Sequence, residues 1–247
     1  MDRMKVLDLF SGIGGFSLGL ERAGMETVAF CEFDKHAQKV LKKHWPEVPI
    51  HEDVRLLDGK QYRGTVDVVC GGFPCQDLST AGNQAGFSGE RSSLYLEMLR
   101  IIGECLPRFA IFENVTGLLS GDGGRWFARF LYDLAAIGYD AEWHCISASY
   151  IGAPHHRDRV WIIAYPECKR QSGQGRLKPS INKKTDCFRQ ASGLINAFQE
   201  GAMPYVCRGH DGVSGRLHRL KQLGNSVVPQ IPEIIGRAII DCEMSNG

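Results

Sequence analysis

"KVLDLFSGIGGFSLGLERAG", Lys5 to Gly24, is the stretch from which the architecture follows. Its apolar run reads as a buried strand. The glycine-rich "SGIGG" closes that strand. "FSLGLERAG" then has helical spacing and stops at Gly24, a residue suited to a helix C-terminus. A strand, a glycine turn and a helix make the opening unit of an α/β sheet. Such a turn lets backbone approach a nucleotide-like ligand at the helix N-terminus.

The same alternation continues along the chain. "TVAF" reads as a second strand, and "DKHAQKVLKKHWP" as an amphipathic helix with Asp34 near its start and Pro46 beyond its end. "VDVVC" is a strand, "SSLYLEMLRIIGECLP" a serine-capped helix, and "FAIFEN" a strand. "GRWFARFLYDLAAIG" is a helix, and "YDAEWHCISA" and "RVWIIAY" are two late strands. The alternation predicts an α/β fold with a mostly parallel, doubly wound sheet covered on both faces. From Pro166 to about Gly215 the periodicity dissolves. Between Pro166 and Lys221 there are eleven Lys/Arg against four Asp/Glu, which fits either a solvated loop or a polyanion-facing surface. Regular structure returns at "VVPQIPEIIGRAII", a helix with proline in its first turn.

The bulk composition excludes more than it assigns. With 247 residues, 43% hydrophobic and 23% charged, the chain has room for one large domain with a real core. The net charge of +1 says little about partners. No apolar run reaches membrane-spanning length, and "MDRMKVLDLF" lacks a signal-peptide pattern. The nine cysteines form no tight framework and read as reduced thiols, so a cytoplasmic protein is expected.

Several residues at predicted strand ends carry chemistry. The turn supplies Gly12 and Gly14, but Ser17 stands where a dinucleotide motif would have its third glycine. That weakens a nicotinamide reading. Glu32, 20 residues past Gly12, fits a ribose-gripping acid, and Asp53 in "HEDV" fits an acceptor for an adenine amino group. In "GGFPCQDLS", Pro74 fixes φ and two glycines permit a tight turn, so the direction of Cys75 is set. A thiol there is either a small core residue or a nucleophile. Glu113 and Asn114 end the next strand and either face the same crevice or cap a helix. Arg157 and Arg159 alternate into a strand and so share a face, with a surface salt bridge as the alternative. Asn225 in "LGNSVVP" either binds a ligand or caps the last helix.

Taken in order, these motifs resemble those of the cytosine carbon-5 DNA methyltransferases. The resemblance rests on "DLFSGIGGF", "CEFDKHAQ", "HEDV", "GGFPCQDLS", "ENV", the R-x-R of "HHRDR" and "LKQLGNSVVP", over about four-fifths of the chain. There are two departures. His155 stands where the family has glutamine, and the segment between the R-x-R and Gly-Asn motifs is far shorter than usual. The Cys-Phe-Thr signature of the transfer-RNA branch is absent, and a non-catalytic regulator would have lost Pro-Cys or Glu-Asn-Val, both of which are present.

The resemblance implies a Rossmann-like S-adenosylmethionine-dependent fold and a catalytic domain over 1–164. It also implies a short target-recognition region over 165–215, and a segment 216–247 that returns to the catalytic domain. It implies that Cys75 adds to carbon 6 of a flipped cytosine, that Glu113 holds ring nitrogen 3, and that Arg157 and Arg159 place the base. The cofactor would lie against Phe10, Ser11, Gly12, Gly14, Gly15, Glu32, Phe33, Asp53, Val54, Asn225 and Ser226. Double-stranded DNA would meet Gln76, Ser79, Lys178, Lys183 and Lys184. The loop from Gln76 to Ser93 would close over the base. The implied protein is a monomer that needs no metal and pairs in some systems with a cognate restriction endonuclease. Cys168, Cys187, Cys207 and His210 are spaced too loosely to read as a zinc knuckle.

Overall fold

The computed structural model describes residues 2–74, 94–152, 157–166 and 226–245. Among them, strands β1 (Lys5–Leu9), β2 (Glu26–Cys31), β3 (Ile50–His51), β4 (Val68–Gly71), β5 (Phe109–Val115), β6 (Tyr139–Ser147) and β7 (Asp158–Pro166) form one sheet. Its order is β3-β2-β1-β4-β5-β7-β6. The pairs β1–β2, β1–β4, β2–β3 and β4–β5 are parallel. Only β7 runs against its neighbours, β5 and β6. The reason lies in the connection. Ten residues, 148–157, separate β6 from β7, too few for the helical crossover that a parallel pair requires. The mostly parallel α/β sheet expected from the sequence is therefore present.

Helices α1 (Gly15–Arg22), α2 (Lys35–His44), α3 (Leu94–Cys105), α4 (Gly117–Ser120), α5 (Arg125–Ala136) and α6 (Gln230–Ser245) accompany the sheet. The central strands are apolar on both faces, and their side chains alternate strictly. Val69, Ala110, Phe112, Val160 and Ile162 join the core that holds Met98 of α3 and Phe130 of α5. Val68, Cys70, Phe109, Ile111, Trp161 and Ile163 join the core that holds Leu20 of α1 and Ile235 of α6. A period of two with both phases apolar is the pattern of a strand buried on both sides.

Helix α2 begins as the sequence suggested, with the Asp34 carboxylate accepting from the His36 and Ala37 amides. The return of α6 to α1 depends on glycine. A Cβ on Gly19 would lie 2.2 Å from the Pro229 carbonyl oxygen, and one on Gly236 would lie 2.8 Å from Ala23 Cβ. The two helices cross at near-backbone contact, and any larger residue at 19 would push them apart.

Candidate active site

The candidate residues gather at the carboxyl ends of the parallel strands, where open α/β sheets carry ligands. The glycine turn comes first. Phe10, Gly12 and Gly14 all take positive φ, at 53°, 54° and 86°. Ser11 Oγ donates to the Asp8 carbonyl at 2.6 Å, and the Gly12 amide donates to Glu32 Oε2 at 2.7 Å. The other Glu32 oxygen accepts from the Asp34 amide at 2.7 Å. One carboxylate thus ties the turn to the start of α2, and burial raises its pKa against the pull of those amides. Behind Gly14 sits Trp45, whose ring a Cβ there would approach to 2.6 Å. Trp45 Nε1 donates to both Glu21 oxygens, at 2.8 and 2.9 Å. The turn is gripped from both sides by residues of the β2–α2 unit.

In front of the turn, no described atom lies within 4 Å of where a Gly12 Cβ would be. Phe33 presents its ring at 73% exposure, and Asp53 follows the end of β3, beside Val54. The C-terminal segment also reaches the turn. A Gly15 Cβ would meet the Val227 carbonyl oxygen at 2.6 Å and Ser226 Oγ at 3.2 Å. A glycine turn with open space, two acceptor-only carboxylates and an exposed aromatic ring suit a nucleoside-bearing cofactor, whose hydroxyl and amino groups are donors.

The strand end of β4 holds the second part of the site. Phe73 is buried. Its ring stacks on Phe130 at 5.7 Å between centroids and contacts Tyr95 at 6.1 Å and Phe112 at 6.5 Å. Asn114 Nδ2 donates to the Phe73 carbonyl at 3.2 Å. The backbone entering Pro74 is therefore pinned by an aromatic plug and an amide, and the conformation does not rest on the proline alone. Asn114 caps no helix; its Oδ1 accepts from the Val115 amide.

Glu113 lies beside this elbow and is 8% exposed. A Cβ on Gly72 would come within 2.9 Å of Glu113 Oε2, so a glycine is what leaves the carboxyl its place. Arg159 Nε stands 2.9 Å from Oε1, an ion-pair contact without the alignment of a hydrogen bond, and Oε1 keeps no other partner. Burial raises the Glu113 pKa, and the charges of Arg159 and then Arg157 oppose it. Arg157 is itself held below its usual value, chiefly by burial and then by Arg159. Side-chain exposures of 22% and 11% for Arg159 and Glu113 set this pair apart from a surface salt bridge.

Three buried thiols, Cys31, Cys70 and Cys105, are poor nucleophiles. Burial pushes Cys31 and Cys105 up to about 12 and Cys70 well above its ordinary value. Cys75 itself lies outside the described residues, as do Gln76, Ser79, Lys178, Lys183, Lys184 and Asn225. So do His155, Ser92 and Ser93, the loop from Gln76 to Ser93, and Cys168, Cys187, Cys207 and His210.

One residue of β1 gave no sequence signal as a titrating group. Asp8 is fully buried, with Oδ2 accepting from Ser17 Oγ at 2.7 Å and Oδ1 without a partner. Ser17, which stands at the third glycine position of a dinucleotide motif, is the side chain that supplies that donor. Desolvation pushes the Asp8 carboxyl from 3.8 up to about 7. The folded protein therefore holds a proton that the unfolded chain releases, and stability falls as pH rises from about 4 to 7. At about 1.4 kcal/mol per pH unit, the full loss is about 4 kcal/mol. Asp8→Asn is expected to match the wild type in thermal unfolding at pH 4 and to exceed it by several degrees at pH 8. An equal difference at both values would show that Asp8 does not titrate in this range.

Residues 4–204 match the family described as C-5 cytosine-specific DNA methylase. The Type II methyltransferase M.Eco47II of Escherichia coli is 42% identical over 161 residues, which cover 64% of this chain and 39% of that protein. M.HhaI of Haemophilus parahaemolyticus is 33% identical over 162 residues, covering 66% of this chain and 49% of that one. The chain thus spans less than half the length of these relatives. The methyltransferase EhMeth of Entamoeba histolytica shares the fold, with a TM-score of 0.67, 16% identity, and 98% of this chain and 99% of that one covered. With a family match running from the glycine turn through the Pro-Cys elbow, Glu113 and the two arginines, the chain belongs to the C-5 cytosine-specific DNA methylases.

Proposed function

We propose that this protein methylates carbon 5 of a cytosine flipped out of duplex DNA. The observation that carries the reading is the buried Glu113 of β5, with its raised pKa, set between Arg159 and Gly72, the latter on the segment that leads from β4 to Cys75. S-adenosylmethionine supplies the methyl group when bound, held by the glycine turn, Glu32, Phe33, Asp53 and Ser226.

Carbon 5 of cytosine is a weak nucleophile. Addition of the Cys75 thiolate to carbon 6 places electron density on carbon 5. Glu113 holds the proton at ring nitrogen 3, so the ring does not accumulate negative charge, and Arg159 faces the base carbonyl oxygen. Such aligned charges typically contribute a few kcal/mol each to the transition state. Once carbon 5 is methylated, loss of its proton and departure of the thiolate restore the aromatic ring and the enzyme. A stacked base is out of reach of a thiol, so flipping precedes addition. The basic region 165–215 faces the DNA, with Lys178, Lys183 and Lys184 on phosphates.

The test is to incubate the purified protein with mixed-sequence duplex DNA and S-adenosylmethionine and to read the DNA by bisulfite sequencing, with transfer RNA as a parallel substrate. Protected cytosines within a short recurring motif are expected. Transfer to RNA alone, or to neither, would overturn the reading.

A further inference from the structure

Asp53 is engaged by a residue two positions on. Arg55 Nε stands 2.9 Å from Oδ1 and 3.1 Å from Oδ2, Nη2 stands 2.6 Å from Oδ2, and the Arg55 amide donates to Oδ1 at 3.0 Å. This forked contact fills much of the carboxylate's acceptor capacity, which is roughly four lone-pair sites. It also pulls the Asp53 pKa below the usual carboxylate range.

The two partners differ in exposure. Arg100 of α3 donates to the Val54 carbonyl at 2.8 Å and to the Leu57 carbonyl at 3.0 Å, so the backbone after Asp53 is clamped to the core. The Asp53 side chain is 18% exposed and the Arg55 side chain 62% exposed. A ligand that approaches Asp53 can displace the guanidinium into solvent, whereas the carboxylate stays where it is.

From this geometry we infer that Arg55 is a specificity-determining residue for the purine end of the cofactor site, competing with an exocyclic amino group for Asp53. The inference rests on the cofactor reading above, in which Asp53 accepts from adenine. A 6-amino purine takes the carboxylate and releases Arg55. A 6-oxo purine turns an acceptor toward Asp53 and is tolerated because Arg55 stays between them as a donor. Exposed ion pairs are weak and screened by salt, so the competition is worth about two- to fivefold in affinity.

Calorimetric titration of the whole protein with S-adenosylhomocysteine and S-inosylhomocysteine tests it. Arg55→Met is expected to bind the adenosyl compound about two- to fivefold more tightly than the wild type and the inosyl compound less tightly. Raising salt should tighten adenosyl binding in the wild type and leave the variant unchanged. Arg55→Lys, which keeps the charge without the fork, should fall between and serves equally if the methionine variant fails to fold. Unchanged or weaker adenosyl binding, or equal tightening for both compounds, overturns the assignment while leaving the cofactor reading intact. Absence of adenosyl binding in the wild type overturns the cofactor reading and this inference with it.

Discussion

Cys75→Ser is expected to lose methyl transfer by roughly 10⁴- to 10⁶-fold, the scale seen when an essential nucleophile is removed. Cofactor binding and thermal stability should be unchanged, because the elbow is held by Phe73 in its aromatic cluster and by Asn114 on the Phe73 carbonyl. A serine hydroxyl is not ionised near neutral pH, whereas a thiol with pKa about 8.5 supplies a few per cent of strongly nucleophilic thiolate. Duplex DNA carrying 5-fluorocytosine should become covalently attached to the wild type, since carbon 5 then has no proton to lose. It should not attach to the variant. Normal turnover by Cys75→Ser would remove the covalent mechanism altogether.

Glu113→Gln is expected to lower kcat by about 10²- to 10⁴-fold, the range for a positioned acid–base group, with little change in DNA affinity. Glutamine preserves shape and hydrogen bonding but has no acidic proton to transfer to ring nitrogen 3. A group whose loss acts in the transition state lowers kcat and kcat/KM together. The pH profile separates this role from a structural one. Burial raises the Glu113 pKa, so the protonated form survives to higher pH than for an exposed glutamate and is lost as pH rises through that value. The wild type should therefore show an alkaline decline in kcat that the glutamine variant lacks. Equal losses in kcat and DNA affinity, with an unchanged profile, would assign Glu113 to structure.

Much of the candidate site was legible as a set of motifs because its parts are local. Pro74 and Cys75 are adjacent, and Asp34 caps α2 within three residues of itself. Glu32 follows a strand that its apolar run already marked, whereas β3 before Asp53 is only two residues long and has no such run. Three things were not legible. The alternatives for Glu113, a facing carboxylate or a cap, were separated only when β7 paired with β5 and brought Arg159 to 2.9 Å from its carboxyl. Trp45 behind Gly14 gave no signal, since its partner Glu21 is 24 residues away. Arg55 beside Asp53 was close in sequence, but spacing does not say whether an arginine folds back onto its neighbour, and the Arg100 that holds the Val54 and Leu57 carbonyls is more than forty residues away.

The amino-acid sequence by itself determined the order of the longer strands and helices, the glycine turn and the Asp34 cap, because period, propensity and capping act within about four residues along the chain. It also determined the set of chemical groups, because motif spacing fixes which residue ends which strand. Only the tertiary structure decided the direction of β7, the approach of α6 to Gly19 across more than two hundred residues, and the burial that raises the pKa of Asp8 and Glu113. Each of these depends on which distant surfaces exclude water from one another. Desolvation is a property of the assembled core and has no counterpart in a window of sequence.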